Sequence, residues 1–540
     1  MLRRRHLGRV SFVEANDLQR ALVSAADDYV LLFEHPPTYT MGVRTDPAHF
    51  LVPPESLDAA VVEADRGGDV TFHGPGQVVA WAVVTVADDP SAGPAHVARL
   101  EDAVIATVTG LDANCVLGAV GRLDGYPGVW ARLESTPAKI AAVGVRTERD
   151  AVGRRRTLHG VALNVDVDLA AFAAIVPCGI ADRPVASMHS LGLMIPPHEV
   201  EERLGAELAA RLGSEARVAR VDRTEAQITA ERPLLRRLRA AGVDPDAGVP
   251  IRSRKPEWLR AEAHMGPEYR SLRHLTDDLR LVTVCEEAGC PNIFECWASG
   301  TATFMVNGER CTRACGFCLI DTRKPLPLDP TEPARVAEAV VRLGLKHAVI
   351  TCVARDDLAD GGAGAIADTV RAIRAVAPDT NVEVLTSDLK GDAPSLQLLI
   401  DAAPDVLNHN VETVARLQRA VRPSAGYLRS LTVLARGAAA GLTTKSGLMV
   451  GLGEDADEVE ETLSDLAAVG VDIVTIGQYL RPSAAHLPVA RWWEPAEFDD
   501  LAERGRRLGL SHVQASPLTR SSYHAREALD ATPVAAPARR

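Results

Sequence analysis

Six of the nine cysteines in this chain of 540 residues lie between Cys285 and Cys318, and their spacing points to iron chemistry. Cys311, Cys315 and Cys318 form CTRACGFC, a C-x3-C-x2-C loop that follows the strand-like run TATFMVN. Three thiolates set this closely wrap one corner of a cubane cluster and leave its fourth iron without a cysteine, open to chelation by a small molecule. Structural zinc would usually call for two C-x2-C knuckles. Upstream, Cys285, Cys290 and Cys296 make a second triple, C-x4-C-x5-C, in CEEAGCPNIFEC. Two triples imply two clusters, with a pair of structural zinc or electron-transfer sites as the blander alternative. Thiols committed to metal also suit a reducing, cytoplasmic compartment better than a disulfide framework would. Cys352, in a predicted strand, and Cys115, in ANCVLGAV, read as buried and inert.

A second segment with chemical character is RGGDVTFHGPGQ, residues 66–77, where five of twelve positions are glycine or proline. Such a loop lets the backbone approach a ligand closely, and Arg66 and His73 add polar groups to it. By itself it is equally a common tight turn. The first half carries no P-loop, dinucleotide fingerprint or GxSxG elbow.

Positioning these residues takes two scaffolds. The first half mixes short apolar runs (YVLLFEHPP, VVAWAVVTV, KIAAVGV) with Gly/Pro turns, the pattern of an α/β or α+β layered domain. Residues 224–256 are charged and Pro- and Gly-punctuated, and read as a linker and the start of the second module, between a domain at 1–223 and one at 257–528, with 529–540 a disordered tail. Beyond the cysteines, helical and strand-like segments alternate, as in AEAVVRLGL then HAVITCV. Repeated helix-strand units demand parallel pairing through crossovers, hence a complete or partial β/α barrel with its active site at the C-terminal strand ends. The 59 basic against 72 acidic side chains leave a net charge of −13, which weighs against a general affinity for nucleic acid or anionic membrane. No apolar run reaches the roughly 18 residues of a membrane span. The arginines of MLRRRHLGRVSFVEA precede no export-type apolar run and belong to the fold.

The C-x3-C-x2-C loop resembles that of the radical S-adenosylmethionine (SAM) superfamily. Together with RDDLADGGA, NHNVETV, KSGLMVGLGE, TIGQYLRPS and LTRSSYHA, it makes residues 250–527 resemble lipoyl synthase. The resemblance implies a partial (β/α)6 radical-SAM barrel, SAM as cofactor and two [4Fe–4S] clusters. One would be held by Cys311, Cys315 and Cys318. The other, auxiliary cluster would be held by Cys285, Cys290, Cys296 and Ser521, with Ser522 as the alternative serine. A hard serine oxygen is the weaker link in a soft-ligand set and suits a cluster dismantled to supply sulfur. The implied reaction inserts two sulfur atoms at C6 and C8 of a protein-bound octanoyl chain, with electrons from a donor such as flavodoxin or ferredoxin. Asp356, Asp357, Gly361 and Gly362 are either SAM contacts or a solvated strand-end turn.

In the first half, EHPPTYTMG, the 66–77 loop, PGVWARLESTPAKIAAVGV, HGVALNV and IVPCGI follow one another in the order seen in octanoyl-[acyl-carrier-protein]:protein N-octanoyltransferase, which residues 5–210 resemble. The resemblance implies an α+β biotin/lipoate-transferase-like fold in which Cys178 accepts the acyl group and Lys139 is its partner. The implied pocket comprises Arg66, Gly67, Gly68, Asp69, Val70, Thr71, Phe72, His73, Ala142, Val143, Gly144, Gly160, Val161 and Ala162. Phe72 stands where that family commonly has tyrosine, a change expected to alter a hydrogen bond in the pocket. The implied partners are octanoyl-acyl carrier protein and the lipoyl domains of 2-oxoacid dehydrogenases or the glycine cleavage H protein. Two other readings stay open: an ATP-dependent lipoate ligase-like first half, and a non-catalytic iron–sulfur carrier. Arg3–Arg5 and Arg154–Arg156 read as solvated charge or, alternatively, as a docking patch for acidic carrier protein.

Overall fold

The computed structural model describes residues 1–213, 216–221, 233–260, 266–283, 292–298 and 301–532. The chain divides into two compact units, Met1–Arg220 and Val221–Arg540. No helix among the described residues is long and apolar enough to cross a membrane.

The first unit is built on a mixed sheet whose inner strands, Asp28–Glu34, Gln77–Val83, Arg155–Asn164 and Ala138–Arg149, lie side by side. Strand alternation sorts its two faces. Val78, Ala80 and Ala82 join the core that the helices Ala92–Leu111 and Pro197–Leu212 cover, through Leu100, Val104, Leu204 and Leu208. Val79 and Trp81 point to the other face. There the helix Phe12–Leu22, started by a Ser11–Glu14 capping box, sets Phe12 edge-on to Trp81 with ring centres 5.5 Å apart. A small sheet of Thr38–Met41, Ala60–Glu63 and Thr71–His73 closes that side over its own core of Tyr39, Val70, Phe72 and Phe172.

For Arg3–Arg5 and Arg156 neither reading of the arginine runs survives, while Arg154 and Arg155 are part-buried. Arg3, Arg4 and Arg5 are buried on the strand Leu2–Arg9. Arg3 Nε pairs with Asp27 at 2.7 Å, Arg4 Nη2 with Glu202 at 2.9 Å, and Arg5 lies over the Tyr29 ring. Arg156 is fully buried, donating to Asp28 Oδ1 and the Asp27 carbonyl, each at 2.9 Å. A charge run says nothing of which charges meet partners distant in sequence, and here partners from other elements enclose them.

In the second unit seven parallel strands, from Thr301–Val306 to His512–Ala515, run in chain order, and the short antiparallel strand Val282–Thr283 extends the first of them. Six helices, Glu332–Leu343, Ala363–Val376, Ala393–Asp401, Tyr427–Ala439, Ala456–Ala468 and Pro495–Arg507, make the crossovers. This is the partial (β/α)6 barrel, completed by a seventh parallel strand. Its outer wall is aliphatic, whereas its interior holds an ion pair between Lys445 and Glu383 at 3.1 Å, both fully buried, with Asn408 Nδ2 donating to the same carboxylate at 2.6 Å. Part of the expected linker is folded onto this unit: the helix Pro233–Ala240 buries Leu238, and Val249 N donates to Val489 O at 2.7 Å. Likewise the last helix is Ala525–Asp530, with Ala528 and Leu529 buried, so the first residues assigned to a disordered tail are structured. Residues 533–540 lie outside the described ones.

Candidate active sites

In the first unit one cavity of about 440 Å³ is lined by Cys178, Lys139, Arg66, Gly67, Gly68, Asp69, Thr71, His73, Ala142, Val143, Gly144, Gly160, Val161 and Ala162. These residues come from four separate stretches of sequence. Val70 and Phe72, expected in the same pocket, face away from it. Along this strand they alternate with Thr71 and His73, and Phe72 packs against Tyr39 and Phe172 with ring centres 5.0 and 5.6 Å away. The tyrosine-to-phenylalanine departure therefore falls in a small core and removes no hydroxyl from the cavity.

Cys178 occupies a tight turn, Pro177–Gly179, with φ 57° and ψ 20°. A left-handed conformation costs a residue with a Cβ free energy, and such strain gathers at working sites. Its amide donates to Val70 O at 2.8 Å, which ties the turn to the glycine-rich loop. Lys139 is buried in the strand Ala138–Arg149, its Nζ 5.6 Å from the centre of the Trp130 ring and without a hydrogen bond among the described residues. Gly128 makes room for it: a methyl group there would come within 2.8 Å of Lys139 Cε and 2.4 Å of Ala141 O. Gly144 does the same for the loop, since its Cβ would stand 2.9 Å from Gly67 O.

Arg66 is buried with its Nη2 bonded to Thr40 O at 2.7 Å, and burial lowers its pKa against the raising effect of the Cys178 and Asp69 charges. Burial likewise holds His73 well below the ordinary histidine range, so it is neutral, with Nδ1 2.6 Å from Gln77 Oε1, and Gln77 donates onward to Asn164. Among the cavity residues that sequence reasoning missed are Arg44, His49, Trp81 and His159. Only HGVALNV, which contains His159, hinted at any of them. His159 has φ 62° and reaches Asp65 Oδ1 at 2.8 Å. His49 sits in an ordinary turn and meets Asp69, twenty residues on, at 2.6 Å.

In the second unit the loop carrying Cys311, Cys315 and Cys318 leaves the C-terminal end of the strand Thr301–Val306. Backbone bonds fasten it on every side: Cys311 N to Asp321 O at 2.8 Å, Thr312 N to Ala354 O at 3.0 Å, and Gly316 N to Val421 O at 2.8 Å. Arg313 locks it to the next strand ends through Asp356 at 2.8 Å and the fully buried Asp388 at 2.6 Å. Asp356 is thereby spent on Arg313, and Asp357 on Arg355 at 2.9 Å. Gly361 and Gly362 form a left-handed turn under Asn307, whose Nδ2 donates to Gly362 O at 3.2 Å. None of these four lines the neighbouring cavity of about 500 Å³, which Cys318, Glu412, Arg481, Ser521 and Ser522 do. Lys255, assigned by sequence to the linker, lines it as well. Leu234, from the same stretch, packs where a side chain on Gly316 would be, 2.7 Å from its Cβ position.

Ser521 is anchored: its Oγ accepts from Asn408 Nδ2 at 3.0 Å and donates to Asn410 Oδ1 at 3.1 Å. Cys296 is buried in the helix Ile293–Ala298, whose Glu295 accepts from Tyr523 Oη at 3.1 Å, so this helix abuts the RSSY segment. Cys285 and Cys290 lie outside the described residues. Cys352 is half-buried against the barrel's aliphatic wall, and burial pushes its thiol up to about 11. Cys115 is exposed, not buried as expected, on a left-handed turn.

The donor set of the barrel loop fits an iron–sulfur cluster. Burial, with the charges of the neighbouring cysteines adding to it, pushes Cys315 up to about 12 and Cys318 up to about 11. Thiols in that setting become thiolates only when a cationic centre sits among them. Among the described residues no three His, Cys, Asp or Glu side chains converge on a single-ion site. A cluster needs no such convergence, because each of its cysteines binds a different iron.

Residues 13–209 match the family described as the lipoyl protein ligase A/B catalytic domain, and residues 305–466 match the radical SAM superfamily. The lipoyl synthase of Rubrobacter xylanophilus is 55% identical over 275 residues, 51% of this chain and 86% of that protein. The lipoyl synthase of Mycobacterium avium is 54% identical over 280 residues, 52% of this chain and 91% of that protein. A solved bipartite lipoate protein ligase of Thermoplasma acidophilum, described with its E2 lipoyl domain, covers 41% of this chain and 87% of its own at 16% identity and a TM-score of 0.31, a loose likeness. The chain belongs to the lipoyl synthase family through its second unit, and carries ahead of it on the same polypeptide a lipoyl protein ligase A/B catalytic domain.

Proposed function

We propose that the two units perform consecutive steps on one protein substrate. The first transfers octanoate from the carrier-protein thioester to a lipoyl-domain lysine through an acyl–Cys178 intermediate. The second inserts two sulfur atoms into that chain. The observation that carries the first step is Cys178, in its left-handed turn, sharing one cavity with the buried Lys139. A thiolate is the reactive form of cysteine, and a neighbouring ammonium stabilises it. Cys178 Sγ attacks the thioester carbon, and Lys139 gives its proton to the departing pantetheine thiol. In the return step the amine displaces Cys178 and Lys139 is reprotonated. The apolar lining from Val79, Trp81 and Val161 suits an alkyl chain and keeps water from the thioester.

In the second unit Cys311, Cys315 and Cys318 would hold one [4Fe–4S] cluster, and Cys285, Cys290, Cys296 and Ser521 the auxiliary one. Bound there, such clusters supply an electron for reductive SAM cleavage to a carbon-centred radical, and sulfur for insertion. The chain's own residues prepare the site. Arg313 fixes the cysteine loop, Asn408 and Asn410 orient Ser521, and the cavity beside Cys318 is large enough to admit SAM and an alkyl chain. Electrons would come from a small donor such as flavodoxin or ferredoxin. Joining both sites on one chain raises the effective concentration of the octanoylated domain at the second.

The test is anaerobic reconstitution of the full chain and mass analysis of a lipoyl domain incubated with octanoyl carrier protein, SAM and a reductant. A gain of one octanoyl group followed by two sulfur atoms is expected. Octanoylation that instead requires free fatty acid and ATP, and persists in Cys178→Ala, would mean a ligase in the first unit.

A further inference from the structure

The proton balance of the acyl-cysteine route leaves one proton without an acceptor, and the structure offers a group for it. In the acylation half no base beyond the pair is needed: the Cys178 thiolate forms the new C–S bond, and the Lys139 proton goes to the leaving thiol. The transfer half is different, because the incoming lysine is an ammonium near neutral pH. To become an amide it must shed two protons while the C–N bond forms and the C–S bond breaks. Lys139, now neutral, takes one, which restores the ammonium–thiolate pair. The other needs a second base at the cavity.

His49 stands there. Its Nδ1 lies 2.6 Å from Asp69 Oδ2, while Asp69 Oδ1 accepts the Val70 amide at 2.6 Å, so the carboxylate is held from both ends. With Nδ1–H donating to the carboxylate, the ring presents the Nε2 lone pair, which has no hydrogen-bond partner among the described residues. Both side chains line the Cys178 cavity, and both touch the nucleophile's own turn. A methyl group on Gly179 would meet Asp69 Oδ2 at 2.8 Å and His49 Cε1 at 3.4 Å, and the His49 carbonyl accepts the Val176 amide at 2.8 Å. The imidazole is 29% exposed and its carboxylate partner 12%, so an incoming side chain can reach the ring. The other cavity histidines are committed: His73 to Gln77, and His159 to Asp65.

The geometry points to His49, oriented by Asp69, as the base that takes one of the two protons of the incoming lysine in the transfer half-reaction, with Lys139 serving the acylation half and taking the other proton as it is reset. The assignment rests on the acyl-cysteine reading above and deepens it. An acceptor placed at an attacking amine typically contributes about 100-fold or more.

Rapid-quench measurements on the full chain separate the halves: acylation of Cys178 by octanoyl carrier protein, followed by intact mass, and transfer from preformed acyl-enzyme to a lipoyl domain. His49→Gln is expected to slow transfer about 100-fold and to lower the ratio of transfer to acylation rate at least about tenfold. Asp69→Asn, which keeps an acceptor for Nδ1 but removes the charge, is expected to lower the same ratio by a smaller factor. A residue that only braced the Cys178 turn would slow both halves alike, so an unchanged ratio in His49→Gln overturns the assignment. A wild-type chain that never acylates Cys178 overturns the acyl-cysteine reading itself, and this base with it.

Discussion

The two cavities solve different problems. In the first unit every group the proposed chemistry needs is a side chain of this protein: a thiol on a strained turn, a buried lysine, and a histidine paired with a carboxylate. In the second the chain builds a socket. Its thiols are driven up to about 12 and 11 by burial, and its charged residues, Arg313 with Asp356 and Asp388, hold the loop in place instead of reacting. A self-sufficient site spends its strain on the nucleophile, whereas a socket spends its polar groups on rigidity, because the reactive centre comes from outside.

That contrast breaks most sharply at the cysteines. Cys178→Ala is expected to abolish the covalent octanoyl adduct by intact mass while a reconstituted chain still sulfurates a lipoyl domain supplied already octanoylated. Cys315→Ala is expected to do the reverse, lowering bound iron by roughly four atoms per chain and ending SAM cleavage, with octanoyl transfer intact.

Removing the brace instead of a ligand should act on stability. Arg313→Leu leaves the fully buried Asp388 without its closest cation, and breaking such a pair costs about 3 kcal/mol or more. Thermal unfolding should show the second unit's transition falling while the first unit's stays in place.

Acid should separate the units in the opposite order. Burial pulls His35 and His96 down to about 4 and holds His73 well below the unfolded value of about 6.5. A depressed folded pKa means stability present above the unfolded value and lost as pH falls toward the folded one, by up to about 1.4 kcal/mol per pH unit for each histidine. In the second unit burial brings His409 to about 4. Burial would raise Glu383, but the Lys445 charge together with His347 and Asn408 outweighs it and holds the carboxyl at about 2, so this cluster weakens only between about pH 4.5 and 2. Hydrogen exchange between pH 6.5 and 4.5 is therefore expected to show the first unit opening sooner; simultaneous opening would remove this distinction.

The smallest effect expected is that of Phe72→Tyr. Since Phe72 packs in the small core beside Tyr39 and Phe172, restoring the family's tyrosine should change octanoyl transfer by less than about twofold in a steady-state assay, as for substitutions that touch no substrate. A larger change would mean that the ring reaches the cavity after all.

Much of both sites is legible without coordinates, for one reason: ligand spacing and tight-turn composition are local properties. C-x3-C-x2-C and the glycine-rich run 66–77 bring their groups together over a few bonds, and the alternation of helices and strands admits few topologies besides a parallel barrel. How much of residues 224–256 packs on the second unit is not legible, for the same reason in reverse. Nothing local in their sequence shows that Leu234 packs against the cysteine loop at Gly316 or that Lys255 lines the cavity.

The sequence by itself determined the two scaffolds and the cysteine spacings, because residue type and order along the chain carry that information, and its resemblance to a transferase family pointed to Lys139 and Cys178. Only the tertiary structure decided which polar groups meet. Arg3 and Arg4 became buried ion-pair members and Arg5 lies over the Tyr29 ring instead of forming a docking patch, Val70 and Phe72 turned away from the cavity their neighbours line, and His49 found Asp69 beside Cys178. Electrostatic partnership and side-chain facing depend on distances between elements far apart in sequence, and only packing sets those distances.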